Sequence, residues 1–161
     1  MTLVFLHGLE TGPHGSKYQA LRELDADLLA PDCEHVMDLD ARMAIVERDL
    51  ADKTDLVLVG SSFGGLVAAL FADRHPDRVR AYLLCAPALH ENYADGISRV
   101  PERACILHGK ADDVVPIAAS RAFGKRFGVP VIEVDDNHRL SDSRALLVDL
   151  TRKLLRPTAA T

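Results

Sequence analysis

Leu56-Val57-Leu58-Val59-Gly60-Ser61-Ser62-Phe63-Gly64-Gly65-Leu66 runs from a short apolar stretch, through two small polar residues, into a segment of helical periodicity that continues to Arg74. Four consecutive large apolar residues bounded by glycine read as a buried strand, and the following pattern reads as a helix. A chain that turns this abruptly from strand to helix holds its central residue in strained dihedrals. It also brings the two elements so close that the residues two before and two after the centre must be small. Gly60 and Gly64 meet that need around Ser62, not around Ser61. The hydroxyl of Ser62 is thereby lifted above the sheet, facing the positive end and free amides of the helix behind it. Taken alone, the stretch also reads as a plain tight turn, or as a phosphate-binding loop without its lysine.

Working outward, apolar runs of strand length recur at Leu3 to Leu6, Asp27 to Ala30, Val79 to Cys85, Ala104 to Leu107 and Val131 to Val134. Helical patterns lie between them at Lys17 to Leu24, Ala41 to Leu50, Ile117 to Phe127 and Ser143 to Leu154. Ser141 is placed to cap the last helix, Pro116 suits the first turn of the one from Ile117, and His75-Pro76 ends the one that follows Ser62. Strand and helix alternating in this way predict an α/β fold: a three-layer αβα sandwich whose mostly parallel sheet has about six strands. Ligands of such folds bind at the carboxyl ends of the strands.

With 161 residues, 48% of them hydrophobic, the chain suits one core. The expected division is a single domain over residues 1–156 and a frayed tail over 157–161. Only 5% of residues are aromatic, and Ala, Leu and Val dominate, which favours a covered parallel sheet over an aromatic-rich sandwich. The formal charge of −5 is spread evenly, with no Lys/Arg run, which argues against a nucleic-acid partner. No apolar stretch has the length of a membrane span, and no export signal opens the chain, so a membrane partner is not expected and a cytoplasmic location is. Cys33, Cys85 and Cys105 are odd in number and widely spaced, and are read as reduced thiols.

Two later strand ends supply partners for Ser62. Ala104 to Leu107 runs into His108-Gly109-Lys110-Ala111-Asp112-Asp113-Val114-Val115-Pro116. One aspartate there orients a base and the other caps the helix from Pro116, with Asp112 preferred as the acid and Asp113 as the cap. Val131 to Val134 runs into Asp135-Asp136-Asn137-His138-Arg139-Leu140, where His138 can reach across the top of the sheet. A serine hydroxyl is a weak nucleophile until a nearby base takes its proton. His138 is the candidate base, and Asp112 would hold its imidazole in the useful tautomer while staying ionised. Donors for a developing oxyanion are the backbone N–H groups of Phe63 and of Leu9, the latter in the turn His7-Gly8-Leu9 after the first strand. No His pair stands at metal-ligand spacing beside a carboxylate, so no metal and no cofactor are expected.

These four segments, His7-Gly8-Leu9, Gly60 to Gly64, Gly109-x-x-Asp112-x-x-Val115-Pro116 and Asn137-His138, resemble those of the α/β-hydrolase superfamily, in order and over nearly the whole chain. The opening Leu6 to Lys17, with its Gly15-Ser16-Lys17, is similar to that of small bacterial YqiA-like esterases. The resemblance implies a serine esterase or thioesterase acting on a small acyl ester or thioester through Ser62, Asp112 and His138. The two leading antiparallel strands of larger members are missing, and Ala86 to Arg103 is too short for a helical cap, so the fold is a minimal, capless version with an open site. Leu89, Tyr93, Val114 and Leu140, along with Leu9 and Phe63, are candidate lining residues. The same triad would also serve an acyltransferase or a C–C bond hydrolase, and a non-catalytic binding protein can keep the fold. Oligomeric state has no signature in the sequence.

Overall fold

The computed structural model describes residues 1–157. Its elements, in chain order, are β1 (Thr2–Leu6), α1 (Ser16–Leu24), α2 (Leu39–Asp49), β2 (Leu56–Ser61), α3 (Phe63–Arg74), β3 (Val79–Cys85), β4 (Arg103–Gly109), α4 (Ile117–Phe127), β5 (Val131–Val134) and α5 (Arg144–Leu155), the last preceded by a single 3₁₀ turn over Ser141–Ser143. The five strands lie side by side in sequence order, and every pair is parallel. This is the expected α/β sandwich with one strand fewer. Apart from Pro157, the expected tail lies outside the described residues.

Successive side chains of a strand face opposite ways, so each apolar run serves two cores. Val4, Leu6, Leu56, Leu58, Tyr82, Leu84 and Ile106 face one side, where Met43 and Val46 of α2, most of α3 and Phe123 of α4 cover them. Leu3, Phe5, Val57, Val59, Ala81, Leu83 and Leu107 face the other, under Leu21 of α1 and Leu147 and Leu154 of α5. Helix α3 is buried almost all round, from Phe63 to Ala72, because it lies over the centre of the sheet. That is why its sequence is apolar on every face rather than striped.

The segment expected to form a sixth strand, Asp27 to Ala30, contributes one bridge, Val4 to Leu29. The Leu29 amide donates to Leu3 O at 3.1 Å and Leu29 O accepts from Phe5 at 2.8 Å. The next parallel rung would need an N–H at position 31, which is Pro31 and has none. The bridge still places this segment outside β1, while β2 lies on the inner side. The chain therefore steps outward after β1 and inward after the bridge. Right-handed crossovers in opposite directions put their helices on opposite faces; α1 accordingly shares its face with α5, and α2 lies with α3. The reversal makes the carboxyl ends of β1 and β2 a topological switch point, the place where ligands of open parallel sheets bind.

Helix ends differ from expectation at two points. Ser141 does not cap α5; the helix starts behind Ser143, whose side chain makes no cap. Pro116 stands at the N-cap of α4, again with no side-chain cap. Among the described residues, no helix is long and apolar enough to cross a membrane.

Candidate active site

At the end of β2 the backbone of Ser62 takes φ 56° and ψ −117°, a conformation that costs a non-glycine residue on the order of 1–3 kcal/mol. Its carbonyl accepts from Gly65 at 2.9 Å, opening α3, and from Ala88 at 2.9 Å, while its amide donates to Cys85 O at 2.9 Å. The turn is thus held by α3 and by the segment after β3. The flanking glycines are required by contact: a Cβ on Gly60 would stand 2.4 Å from Gly64 O, and one on Gly64 only 2.0 Å from Leu6 O. Both obstacles are backbone and cannot rotate aside.

Three side chains from three strand ends meet here. The Nδ1–H of His138 donates to Asp112 Oδ2 at 2.7 Å, and His138 Nε2 lies 3.0 Å from Ser62 Oγ, whose hydroxyl it can accept. The His138 side chain is 18% exposed and that of Asp112 is 0% exposed, so the chain of bonds runs from solvent into the interior. The tautomer follows from the partners, since a carboxylate only accepts.

Asp112 takes the base-orienting place, and its other oxygen closes the turn ahead of α4 without capping that helix, which has no side-chain cap. Its Oδ1 accepts from the amides of Val114 and Val115, each at 2.8 Å, which leaves Oδ2 for His138. Asp113 is exposed and caps nothing, contrary to expectation, because the turn is already closed by Asp112. Burial is the largest influence on the Asp112 carboxyl and pushes its pKa up. The hydrogen bonds from His138, Val115 and Val114, joined by the charge of His138, outweigh it and hold the group below its ordinary 3.8.

A second imidazole, outside the candidate triad, backs the carboxylate. His108 is fully buried; its Nε2 lies 3.1 Å from Val115 O and 3.1 Å from Asp112 Oδ2, and its Nδ1 lies 2.7 Å from Ser120 Oγ. Nε2 therefore carries the proton and the Ser120 hydroxyl donates to Nδ1. Desolvation is the main cause that lowers the pKa of His108 and keeps it neutral.

The histidine loop is fixed by residues whose roles were not legible in the sequence. The Asp136 carboxylate accepts from the amides of Asn137 at 2.8 Å and Asp142 at 3.0 Å and from Ser143 Oγ at 2.8 Å. Ser143 thus ties down this loop rather than capping α5. Lys17 Nζ donates to Arg139 O at 2.9 Å, joining α1 to the residue after His138. The Gly15-Ser16-Lys17 stretch marked this lysine without saying what it holds.

After β1, the Nδ1–H of His7 donates to Gly8 O at 2.8 Å and its Nε2 accepts from the Cys33 amide at 2.9 Å. Gly8 packs against the Ser62 turn, where a Cβ would meet Ser62 Cβ at 3.4 Å. Neither the Leu9 nor the Phe63 amide donates to a protein acceptor among the described residues. Of the expected lining residues, Tyr93 (48%) and Val114 (59%) are exposed, and the Tyr93 ring meets Phe63 edge-on at 6.4 Å. Leu89 is buried in the core on the α3 side. Leu140 is 2% exposed and offers a ligand no surface, because it packs into the core on the opposite face with Leu147 and Leu154.

Residues 30–105 match a family model described as serine aminopeptidase, S33, a span that contains Ser62 but neither Asp112 nor His138. No curated protein matches. Among solved structures, an α/β-superfamily protein from Xanthomonas campestris pv. campestris superposes with a TM-score of 0.79 at 24% identity, covering 96% of this chain and 98% of its own. Mouse alpha/beta hydrolase domain-containing protein 10 gives 0.77 at 18% identity, covering 96% and 89%. Est1E from Butyrivibrio proteoclasticus gives 0.76 at 19% identity, covering 96% and 86%. The sequence match spans less than half of the chain, and the solved structures agree on its fold, which is that of the α/β hydrolases.

Proposed function

We propose that this protein is a serine hydrolase that cleaves small carboxylic esters or thioesters through an acyl-enzyme. The observation that carries the reading is the continuous path Asp112 Oδ2, His138 Nδ1, His138 Nε2, Ser62 Oγ, with links of 2.7 and 3.0 Å. Ser62 Oγ attacks the acyl carbon as its proton passes to His138 Nε2. The carbonyl oxygen, now negative, is received by the unpaired amides of Leu9 and Phe63. Collapse expels the alkoxide or thiolate, which takes the proton from His138. A water molecule then enters, His138 removes its proton, and the acid leaves with Ser62 restored.

Small acyl groups fit the surroundings of Ser62. Between β3 and β4 the chain makes only turns, and Tyr93 and Val114 stand open to solvent at the rim. The neighbours Est1E and a monoacylglycerol lipase from Paleococcus ferrophilus carry ester-cleaving names that agree with this class. No metal, cofactor, nucleic acid or membrane takes part in the proposed reaction.

The test is mass spectrometry after treatment with a fluorophosphonate, alongside turnover of p-nitrophenyl acetate and butyrate. Wild type should gain one adduct on Ser62 and release p-nitrophenol, and Ser62→Ala should do neither. An unlabelled wild type, or turnover that survives Ser62→Ala, would overturn the proposal. Faster cleavage of aminoacyl anilides than of either ester would move the substrate class to peptides.

A further inference from the structure

Arg42 lies in α2, yet its side chain is 1% exposed. Its guanidinium ends under the loop that follows β1. Nε donates to Val36 O at 2.6 Å, Nη1 to His7 O at 2.7 Å, and Nη2 to Gly8 O at 3.0 Å and Cys33 O at 3.3 Å. Buried arginines usually meet a carboxylate; among the described residues, none lies within salt-bridge distance of this one. The cation is satisfied by carbonyl dipoles alone, so its charge remains uncancelled. Its carbon stands 5.5 Å from the centre of the Phe63 ring, on the residue that follows the nucleophile.

The bond to Gly8 O has a geometric consequence. Gly8 C=O and Leu9 N–H belong to one trans peptide unit and point in opposite directions. With the carbonyl pinned inward by Arg42 and by His7 Nδ1, the Leu9 N–H must face away from the guanidinium. It has no protein acceptor among the described residues, and Gly8 lies against Ser62. We infer that Arg42 is a positioning residue for acyl transfer: its guanidinium sets the direction of the Leu9 amide and supplies an uncompensated positive charge beneath the place where the oxyanion forms. The inference rests on the serine-hydrolase reading above.

The experiment uses the full chain with Arg42→Lys, Arg42→Gln and Arg42→Met. Fluorophosphonate titration counts competent sites, and kcat and KM are measured on p-nitrophenyl butyrate. Inhibition is measured with a trifluoromethyl ketone of the same acyl length. That ketone adds Ser62 Oγ at its carbonyl carbon, passes the serine proton to His138, and leaves a negative hemiketal oxygen, so its affinity reports oxyanion stabilisation. Per titrated site, the neutral variants should lose about 100-fold in kcat with KM within about twofold. Ketone affinity should weaken by the same factor as kcat/KM. Arg42→Lys, which keeps the charge and loses the fork, should recover part of both. Unchanged kcat per site, or a rise in KM with ketone affinity intact, overturns the inference. If the neutral variants do not fold, Arg42→Lys against wild type decides by the same two readouts, since only a clamp predicts a parallel loss. A wild type that the fluorophosphonate fails to label would instead overturn the serine-hydrolase reading.

Discussion

Replacing Asp112 by asparagine changes one oxygen to an NH₂ group, and the surrounding bonds dictate which one. Oδ1 receives two backbone amides at 2.8 Å. Turning the NH₂ toward them would set donor against donor twice and leave both amides unpaired, at about 1–3 kcal/mol each. Turning it toward His138 costs less, because the only donor it then opposes besides His138 is the Nε2–H of His108, which keeps Val115 O as acceptor at 3.1 Å. The new side-chain nitrogen therefore faces His138 Nδ1, which must then accept. The imidazole proton moves to Nε2 and points at Ser62, so the base is occupied by the proton it should be free to take. A wrong tautomer of this kind costs about 10⁴-fold in kcat, or roughly 5 kcal/mol of barrier. The fold should survive, since both backbone bonds to the side chain persist. The assay is kcat on p-nitrophenyl acetate per folded molecule, with thermal unfolding as control. A variant within about tenfold of wild type, folded and stable, would refute the tautomer argument and with it the role of Asp112.

Ser62→Gly should abolish turnover yet raise stability by about 1 kcal/mol, because glycine accepts φ 56° without the strain that serine bears; a lower unfolding midpoint than wild type would contradict this. Lys17→Met removes a charged donor from Arg139 O, a bond worth roughly 1.5–3 kcal/mol. Amide exchange over residues 137–141 should quicken and kcat/KM should fall by about tenfold, with Lys17→Arg closer to wild type; unchanged exchange counts against the tether. Burial is the first cause that lowers the pKa of both His7 and His108 below 6.5, so the unfolded chain binds protons that the folded one refuses. Their effect on stability is absent above pH 6.5, and stability is lost as pH falls from there toward the folded values. His108→Gln should flatten that slope in a series of melts from about pH 7 to 5. Asp112 acts further down: its stabilisation is complete above 3.8 and is lost as pH falls through its lower folded value.

Much of this protein is legible one residue at a time. Apolar runs of strand length, glycines around Ser62, and a histidine and an aspartate after later strands are local features, because strand and helix patterns and tight turns depend on neighbours a few positions away. Those features located β1 to β5 and all five helices, and they named the three side chains that the structure links by bonds no longer than 3.0 Å. The missing sixth strand was local too: Pro31 denies the second rung, and its lack of an N–H could have been counted beforehand. Which residues hold the site in place depended on the folded chain. Nothing local marks Arg42 until α2 is seen to cross beneath the loop after β1, and the partner of Lys17 emerges only once α1 is seen beside the histidine loop. Asp112 looked like one half of a pair until its second oxygen was found among backbone amides. Arg42 and His7, Lys17 and Arg139, and Asp112 and His138 are 35, 122 and 26 residues apart in the chain. No periodicity links such positions; they meet only because the chain reverses direction after β1 and the sheet gathers its strand ends at one edge, where a buried donor takes whichever acceptor packing has left beside it.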